Sequence, residues 1–283
     1  MASQLRSSEE TTVLVTGATD GLGRSVAREL ARRGAAVLVH GRDLGRGERT
    51  VAGIRRETGN ARVELYLADL ADLAEVRRLA GAVERVHAEL HVLINNAGIG
   101  SGRPESRSRQ ESRDGYELRF AVNYLAGFLL ADLLLPSLRR GAPARIVNVA
   151  SLGQRPIDFD DPMLTVGYTG VRAYGQSKLA QVMHAIELSR RVPPQEVSAN
   201  SLHPGTFMPT KIVLEEIGHS VDTLEAGTAA VLRLALDPEL EGVSGRFFDQ
   251  ESEAAADAQA YDEEARGRLW ELSERLVATP SNA

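Results

Sequence analysis

Tyr174 and Lys178 stand four places apart in Tyr174-Gly175-Gln176-Ser177-Lys178, inside a stretch with helical spacing. Residues i and i+4 share one face of a helix, so the phenol and the ammonium project into the same space. A free tyrosine titrates near pH ~10 and is a poor acid–base at neutrality. A neighbouring ammonium favours its phenolate, and the pair could then give a proton to a carbonyl oxygen or take one from an alcohol. The spacing by itself also fits an ordinary surface pair. The chain has 31 arginines but only two lysines, Lys178 and Lys211, and a guanidinium does not replace a compact ammonium. For that reason Tyr174 is chosen over Tyr168, whose partner at the same spacing is Arg172. Ser151 ends the apolar run Asn148-Val149-Ala150-Ser151 and could hydrogen-bond a substrate oxygen, or serve as a plain strand-end hydroxyl. Asn123 interrupts a long apolar helical stretch, where an amide is costly unless it is satisfied.

A second constellation is Thr16-Gly17-Ala18-Thr19-Asp20-Gly21-Leu22-Gly23, which follows the β-branched run Val13-Leu14-Val15 and opens a helical segment. Glycines there permit a tight turn and a close backbone approach to a pyrophosphate, which a helix N-terminus favours. The plain alternative is a packing turn. The next strand ends in Val39-His40-Gly41-Arg42-Asp43. An acidic residue at its tip would bond a ribose 2′-hydroxyl, whereas an arginine can neutralise a 2′-phosphate. Gly41 fills the acidic position and Arg42 follows, so NADP(H) is favoured and NAD(H) remains possible. Asp20 in the turn, Asp43 beside Arg42, and a purely surface role for Arg42 weigh the other way.

These residues need elements to position them. Apolar runs at Val13–Val15, Ala36–Val39, Arg62–Leu67, Val92–Ile94, Arg145–Val149, Val197–Leu202 and Gly245–Phe248 alternate with helical patterns at Leu22–Arg33, Leu73–Glu89, Gly115–Arg140, Val171–Arg191 and Thr223–Leu236. The alternation predicts an α/β fold, a single doubly wound parallel sheet of Rossmann type with about seven strands and helices on both faces. A polar leader over 1–11 precedes one domain over 12–283, with a substrate lid near 206–222 and a helical tail over 258–277. The 283 residues carry a net charge of −6, with 43% hydrophobic residues and no cysteine. That excludes disulfides, thiolate metal sites and a thiol nucleophile, and gives no basic bias toward nucleic acid. His40 and His203 lack metal-ligand spacing, so no metal is expected. The apolar stretch Tyr124–Leu135, interrupted by Asp132, reads as too short for a bilayer, and the polar N-terminus does not read as a signal peptide, so a soluble cytoplasmic protein is expected. The segment Arg103–Arg113 reads as an exposed loop with solvated arginines.

Taken together, Gly-x-x-x-Gly-x-Gly after the first strand, Asp69-Leu70 after the third, Asn95-Asn96-Ala97-Gly98 after the fourth, Tyr174-x-x-x-Lys178 and Pro204-Gly205-Thr206 after the sixth resemble the short-chain dehydrogenase/reductase family. The 23-residue step from Ser151 to Tyr174, filled by Pro156–Pro162, is similar to the retinol-dehydrogenase-like branch, as are Asp114-Gly115-Tyr116-Glu117, Leu202-His203-Pro204-Gly205 and Arg268-Leu269-Trp270-Glu271. The resemblance implies a catalytic set of Asn123, Ser151, Tyr174 and Lys178, with Asn123 breaking a helix and holding a water of the proton relay. It implies a dinucleotide site of Gly17, Thr19, Asp20, Gly21, Leu22, Gly23, Arg42, Asp69, Leu70, Asn96, Ala97, Gly98, Tyr174, Lys178, Pro204, Gly205 and Thr206, with Asp69-Leu70 at the adenine and Pro204-Gly205 beside the nicotinamide. Where relatives place a threonine four residues past that glycine, this chain has Pro209, then Thr210. The resemblance also implies a homodimer or homotetramer built on Tyr116–Leu138 and Val171–Leu188. The expected activity is NADPH-dependent reduction of a hydrophobic or aromatic carbonyl with Tyr174 as general acid. NAD-dependent alcohol oxidation and a non-catalytic NADP(H)-sensing protein are the alternatives. Substrate contacts are expected from Gly100–Arg113, Leu152–Arg172 and Phe207–Gly218.

Overall fold

A computed structural model describes residues 7–102 and 108–278. Residues 1–6 of the expected leader and 103–107 of the arginine-rich loop lie outside them. Strands β1 (Thr12–Val15), β2 (Ala36–Gly41), β3 (Val63–Leu67), β4 (Val92–Asn95), β5 (Ala144–Val149), β6 (Val197–His203) and β7 (Phe247–Asp249) are parallel, and the two-residue β8 (Ser252–Glu253) returns antiparallel to β7. The sheet order is β3-β2-β1-β4-β5-β6-β7-β8, eight strands where about seven were expected. The extra one is too short to carry a periodic signal. Helices α1 (Gly21–Arg32), α2 (Leu44–Thr58), α3 (Leu73–Val86), α4 (Ala126–Arg140), α5 (Gly170–Arg191), α6 (Lys211–Glu216), α7 (Leu224–Leu236) and α8 (Glu263–Val277) follow in chain order.

Because both sheet faces are covered, the central strands are continuous apolar runs rather than alternating ones. Val13, Val15, Val37, Val39 and Ile94 pack with Leu30 of α1, Ile54 of α2 and Val231 of α7 on one face. Leu14, Leu38, Leu93 and Ile146 pack with Leu79 of α3, Leu129 of α4, Leu179 of α5 and Leu269 of α8 on the other. Several helices start on a side-chain cap, as Asp20, Asp43, Asp72, Thr169, Thr223 and Asp262 accept first-turn backbone N–H bonds. Strand order reverses between β1 and β4, and in such sheets the crevice beyond the carboxyl ends at this switch is where ligands bind.

Two elements differ from expectation. The helix predicted over Gly115–Arg140 begins as a π-turn, Phe120–Leu125, before α4 continues it. Together they form a 21-residue stretch, Phe120–Arg140, long and apolar enough to cross a membrane by length and composition, which reverses the expectation of insufficient length. Asp132 lies on its exposed side and does not interrupt it, while Phe120, Leu125, Leu129 and Leu134 are buried in the core. The second difference is α8. Its Ser273 Oγ lies 2.6 Å from the Tyr124 hydroxyl, the Tyr116 hydroxyl donates to Leu276 O at 2.9 Å, and the Phe128 and Trp270 rings meet edge-on at 5.1 Å. Arg266 pairs with Glu187 of α5 at 3.4 Å. The chain's own tail helix thus covers faces on both segments assigned above to subunit contact.

Candidate active site

The glycine turn is shaped by contacts that exclude side chains. A Cβ on Gly17, whose φ is +63°, would come within 2.8 Å of Ala97 Cα, and one on Gly23 within 2.4 Å of both Asn96 Nδ2 and Gly17 O. Thr16 and Asn96 hold the turn to the segment after β4. The Thr16 hydroxyl accepts from the N–H of Asn96 and of Ala97, both at 3.0 Å, and Asn96 Nδ2 donates to Thr16 O at 2.8 Å. His40 braces the other side. Its Nδ1 accepts the Gly17 N–H at 3.2 Å, which leaves Nε2–H to donate to Ala68 O at 3.1 Å. Burial pushes this imidazole down to about 4, so it is neutral, as that bonding requires. Both histidines singled out in the sequence are structural here; His203 meets the Thr206 hydroxyl at 3.2 Å. Among the described residues no cluster of metal-ligating side chains occurs.

The expected dinucleotide residues outside α5 follow β1, β2, β3, β4 and β6. Asp20 caps α1 through the Gly21 N–H at 2.8 Å, so its carboxylate already occupies a helix N-terminus that would favour an added anion. A Cβ at Gly41 would lie 2.5 Å from Thr19 Cγ2, so this strand tip has no room for an acidic side chain without displacing Thr19. Arg42 is exposed, and Asp43 is not its partner, since it caps α2 through the Arg46 N–H at 2.7 Å. Asp69 accepts from the Ala71 N–H at 3.0 Å, and Leu70 is buried in the core. After β6, Gly205 takes φ +155°, and the Thr206 N–H donates to Asp222 at 2.6 Å. Backbone bonds Asp222 N–H to Thr206 O at 3.0 Å and Val221 N–H to Phe207 O at 2.9 Å clasp the two ends of the 206–222 segment. These glycines, the α1 N-terminus beyond the Gly21 N–H that Asp20 takes, and exposed Arg42 fit a phosphorylated dinucleotide.

Tyr174 lies in the first turns of α5 beside Ser151, which follows β5; a Cβ on Gly153 would lie 3.5 Å from Ser151 Oγ and 3.8 Å from Tyr174 Cε1. The Ser151 Oγ also accepts the Gly153 N–H at 3.0 Å. Lys178 is 5% exposed, with Nζ donating to Val149 O at 2.8 Å and Gln181 Oε1 at 2.9 Å and lying 5.6 Å from the Tyr174 ring centroid. The sequence led us to expect the ammonium to lower the phenol. Instead burial raises Tyr174, partly offset by the neighbouring Ser151 hydroxyl, and burial lowers Lys178 to about 7. The lysine's bonds run to two carbonyl oxygens, and desolvation dominates both groups. Asn123 lies in the π-turn, where Nδ2 donates to Ile99 O at 3.1 Å and Ser177 Oγ at 2.9 Å, and Oδ1 accepts the Ile99 N–H at 2.8 Å. Both of its amide protons are thus spent on protein partners. Gly98 brings the chain close enough that a Cβ there would lie 3.3 Å from Asn123 Oδ1 and 3.7 Å from Lys178 Nζ.

Tyr168 is committed elsewhere. Its hydroxyl accepts from Arg119 at 2.6 Å and donates to Glu117 at 3.1 Å, and it is pushed up to about 12, chiefly by burial and the Glu117 charge. Its i+4 neighbour Arg172 pairs with Asp158 at 2.7 Å. Residues that sequence reasoning missed include Thr16, Gln181, Asp222 and Glu216. Thr16 opens the recognised turn and Gln181 lies one helical turn past Lys178, whereas Asp222 and Glu216 act across sequence separations that no local pattern marks.

Comparison with known proteins identifies the family. The short chain dehydrogenase family matches residues 11–217. Retinol dehydrogenase 13 of Homo sapiens is 38% identical, over 94% of this chain and 84% of its own. The crystal structure of an uncharacterized protein from Mycobacterium paratuberculosis superposes with a TM-score of 0.77 at 30% identity, covering 98% of this chain and 97% of that one. The landomycin C-6 ketoreductase LanV, solved with NADP and rabelomycin, gives 0.65 at 26% identity, covering 86% and 95%. With its glycine turn, Ser151, Tyr174 and Lys178 gathered at one sheet end, the chain belongs to the short-chain dehydrogenase/reductase family, as an NAD(P)-dependent oxidoreductase of the retinol-dehydrogenase-like branch.

Proposed function

We propose that the protein is an NADPH-dependent reductase of hydrophobic or aromatic carbonyl compounds, with Tyr174 as general acid. The observation that carries this reading is the placement of Tyr174 beside Ser151, with Lys178 Nζ 5.6 Å from the Tyr174 ring centroid, at the carboxyl end of the sheet beside the glycine turn. Gly17, Gly21, Gly23, Asn96 and Arg42 would hold the dinucleotide, with Arg42 at the 2′-phosphate. When bound, the cofactor supplies the hydride that reaches the carbonyl carbon. Ser151 and Tyr174 direct their hydroxyls at the carbonyl oxygen, and the Tyr174 proton passes to it as the alcohol forms. Lys178, poised near neutrality, supplies the positive charge that stabilises the tyrosinate left behind. Asn123 fixes the Ile99 loop and Ser177 behind that pair.

Support for an apolar substrate comes from the exposed side chains Leu152, Val171, Phe207, Ile212 and Leu214 on the loops expected to contact substrate, and for NADP and ketone reduction from the likeness to LanV. The name of the human relative favours a second reading, oxidation of a lipophilic alcohol. Steady-state assays with NADPH and NADH on aromatic and aliphatic ketones and the corresponding alcohols separate the two. The reductase reading expects NADPH-linked ketone reduction, and Tyr174→Phe should retain NADPH binding while losing at least ~100-fold in turnover. Near-normal turnover in that variant refutes the role of Tyr174. A strong preference for NADH refutes the role of Arg42.

A further inference from the structure

Glu216, at the end of α6, reaches back across the crevice to the loop that follows β4. Its Oε2 accepts from Ser101 Oγ at 2.9 Å and its Oε1 from the Gly102 N–H at 2.8 Å. This docking depends on a glycine, because a Cβ on Gly100 would lie 2.2 Å from Glu216 Oε1 and 2.5 Å from Ile212 Cγ2. The start of the same segment rests on the dinucleotide turn, as a Cβ on Gly21 would come within 3.2 Å of Thr210 Cγ2. The segment therefore bridges the crevice from the glycine turn to the post-β4 loop, and its base is clasped by Asp222. The carboxylate is half-buried and lies close enough to Tyr174 to raise the phenol electrostatically. Among the described residues it has no lysine or arginine within ion-pair distance. The neighbouring charges pair among themselves, Lys211 with Glu215 at 3.7 Å, Arg172 with Asp158 at 2.7 Å and Arg119 with Glu117 at 3.7 Å.

We propose that Glu216 is a specificity-determining residue. Held on Ser101 and Gly102, it fixes a negative charge at the mouth of the crevice, so that uncharged carbonyl compounds are accepted and carboxylate-bearing ones are rejected. The proposal rests on the reductase reading and narrows its substrate class. A like charge a few ångström away, in surroundings between water and protein interior, costs an anionic substrate at least ~1.4 kcal/mol, or about tenfold.

The test uses a matched pair, methyl benzoylformate and benzoylformate, with the full-length protein and NADPH. Wild type should favour the ester over the acid in kcat/KM, and Glu216→Gln should reduce that ratio about tenfold or more. Glutamine can keep both bonds, its Oε1 accepting from Gly102 and its Nε2 donating to Ser101, so the change isolates the charge. An unchanged ratio in a folded E216Q protein overturns the proposal. Should E216Q fail to fold, raising the salt from about 0.05 to 0.5 M with wild type should narrow the same ratio by screening, and a salt-independent ratio overturns it. If wild type reduces neither compound, the reductase reading is what has failed. The affinities of ester and acid for the NADPH-loaded protein, followed by dihydronicotinamide fluorescence, then decide the charge effect on their own.

Discussion

Replacing Lys178 by methionine should remove a specific part of the protein's pH-dependent stability. In the folded, nucleotide-free protein burial holds this lysine at about 7, whereas in the unfolded chain it titrates near ~10.4. Below pH 7 both states carry the proton, and the full cost of burying the ammonium is present. As pH rises above 7 the folded state loses the proton and the unfolded state keeps it, so stability rises by up to ~1.4 kcal/mol per pH unit. Between pH 7 and 9, allowing for half-titration at the lower limit, wild type should gain about 2 kcal/mol relative to Lys178→Met. The constant costs of the substitution, such as orphaning Val149 O and Gln181 Oε1, drop out of this comparison because they do not vary with pH. Urea denaturation of both proteins at pH 6, 7, 8 and 9, with m-values checked for constancy, measures it. A difference that stays flat within ~0.5 kcal/mol across that range would show that Lys178 keeps its ordinary affinity for protons, and the desolvation reasoning would be wrong.

Tyr168→Phe should keep turnover while costing about 1–3 kcal/mol in urea stability, because it removes the hydroxyl bonded to the buried charges of Glu117 and Arg119; a large loss of turnover would restore Tyr168 as a catalytic candidate. Gly23→Ala drives a methyl group into Asn96 and Gly17 O, so NADPH affinity measured by fluorescence titration should fall at least tenfold, about 1.4 kcal/mol. Unchanged affinity would show that the turn does not cradle the nucleotide. Leu269→Ala, in the seam beneath α8, should cost about 2–5 kcal/mol. Light scattering of that variant should reveal self-association once the tail loosens, and a variant of wild-type stability would place α8 outside the cooperative core.

Much of this fold was legible because β1, β2 and β4 are short and buried on both faces, which leaves Val13–Val15, Ala36–Val39 and Val92–Ile94 as uninterrupted apolar runs between turns. The glycine turn was legible for a related reason: Gly17 and Gly23 sit where backbone meets backbone, and only one residue type fits. Tyr174 and Lys178 were legible because they are four residues apart on one helix. The π-turn at Asn123 was not, since nothing in Phe120–Leu125 departs from an ordinary helical pattern. The direction of the Lys178 bonds depends on Gln181, one turn further along α5, and on Val149, which only folding brings near. Periodicity showed that α4 and α5 have apolar faces, but a buried face looks the same in sequence whether a second subunit or the same chain covers it. Here α8 covers part of each.

That tail helix also gives the protein a built-in optical probe. Trp270 is the sole tryptophan, stacked at 6.0 Å on His184, with the Arg191 guanidinium 4.1 Å over its ring. Ultraviolet emission excited at long wavelength therefore reports the environment of one seam, remote from the glycine turn in the fold. Melting curves followed by this emission and by far-ultraviolet dichroism would coincide if the tail leaves together with the sheet, and would separate if it peels away first.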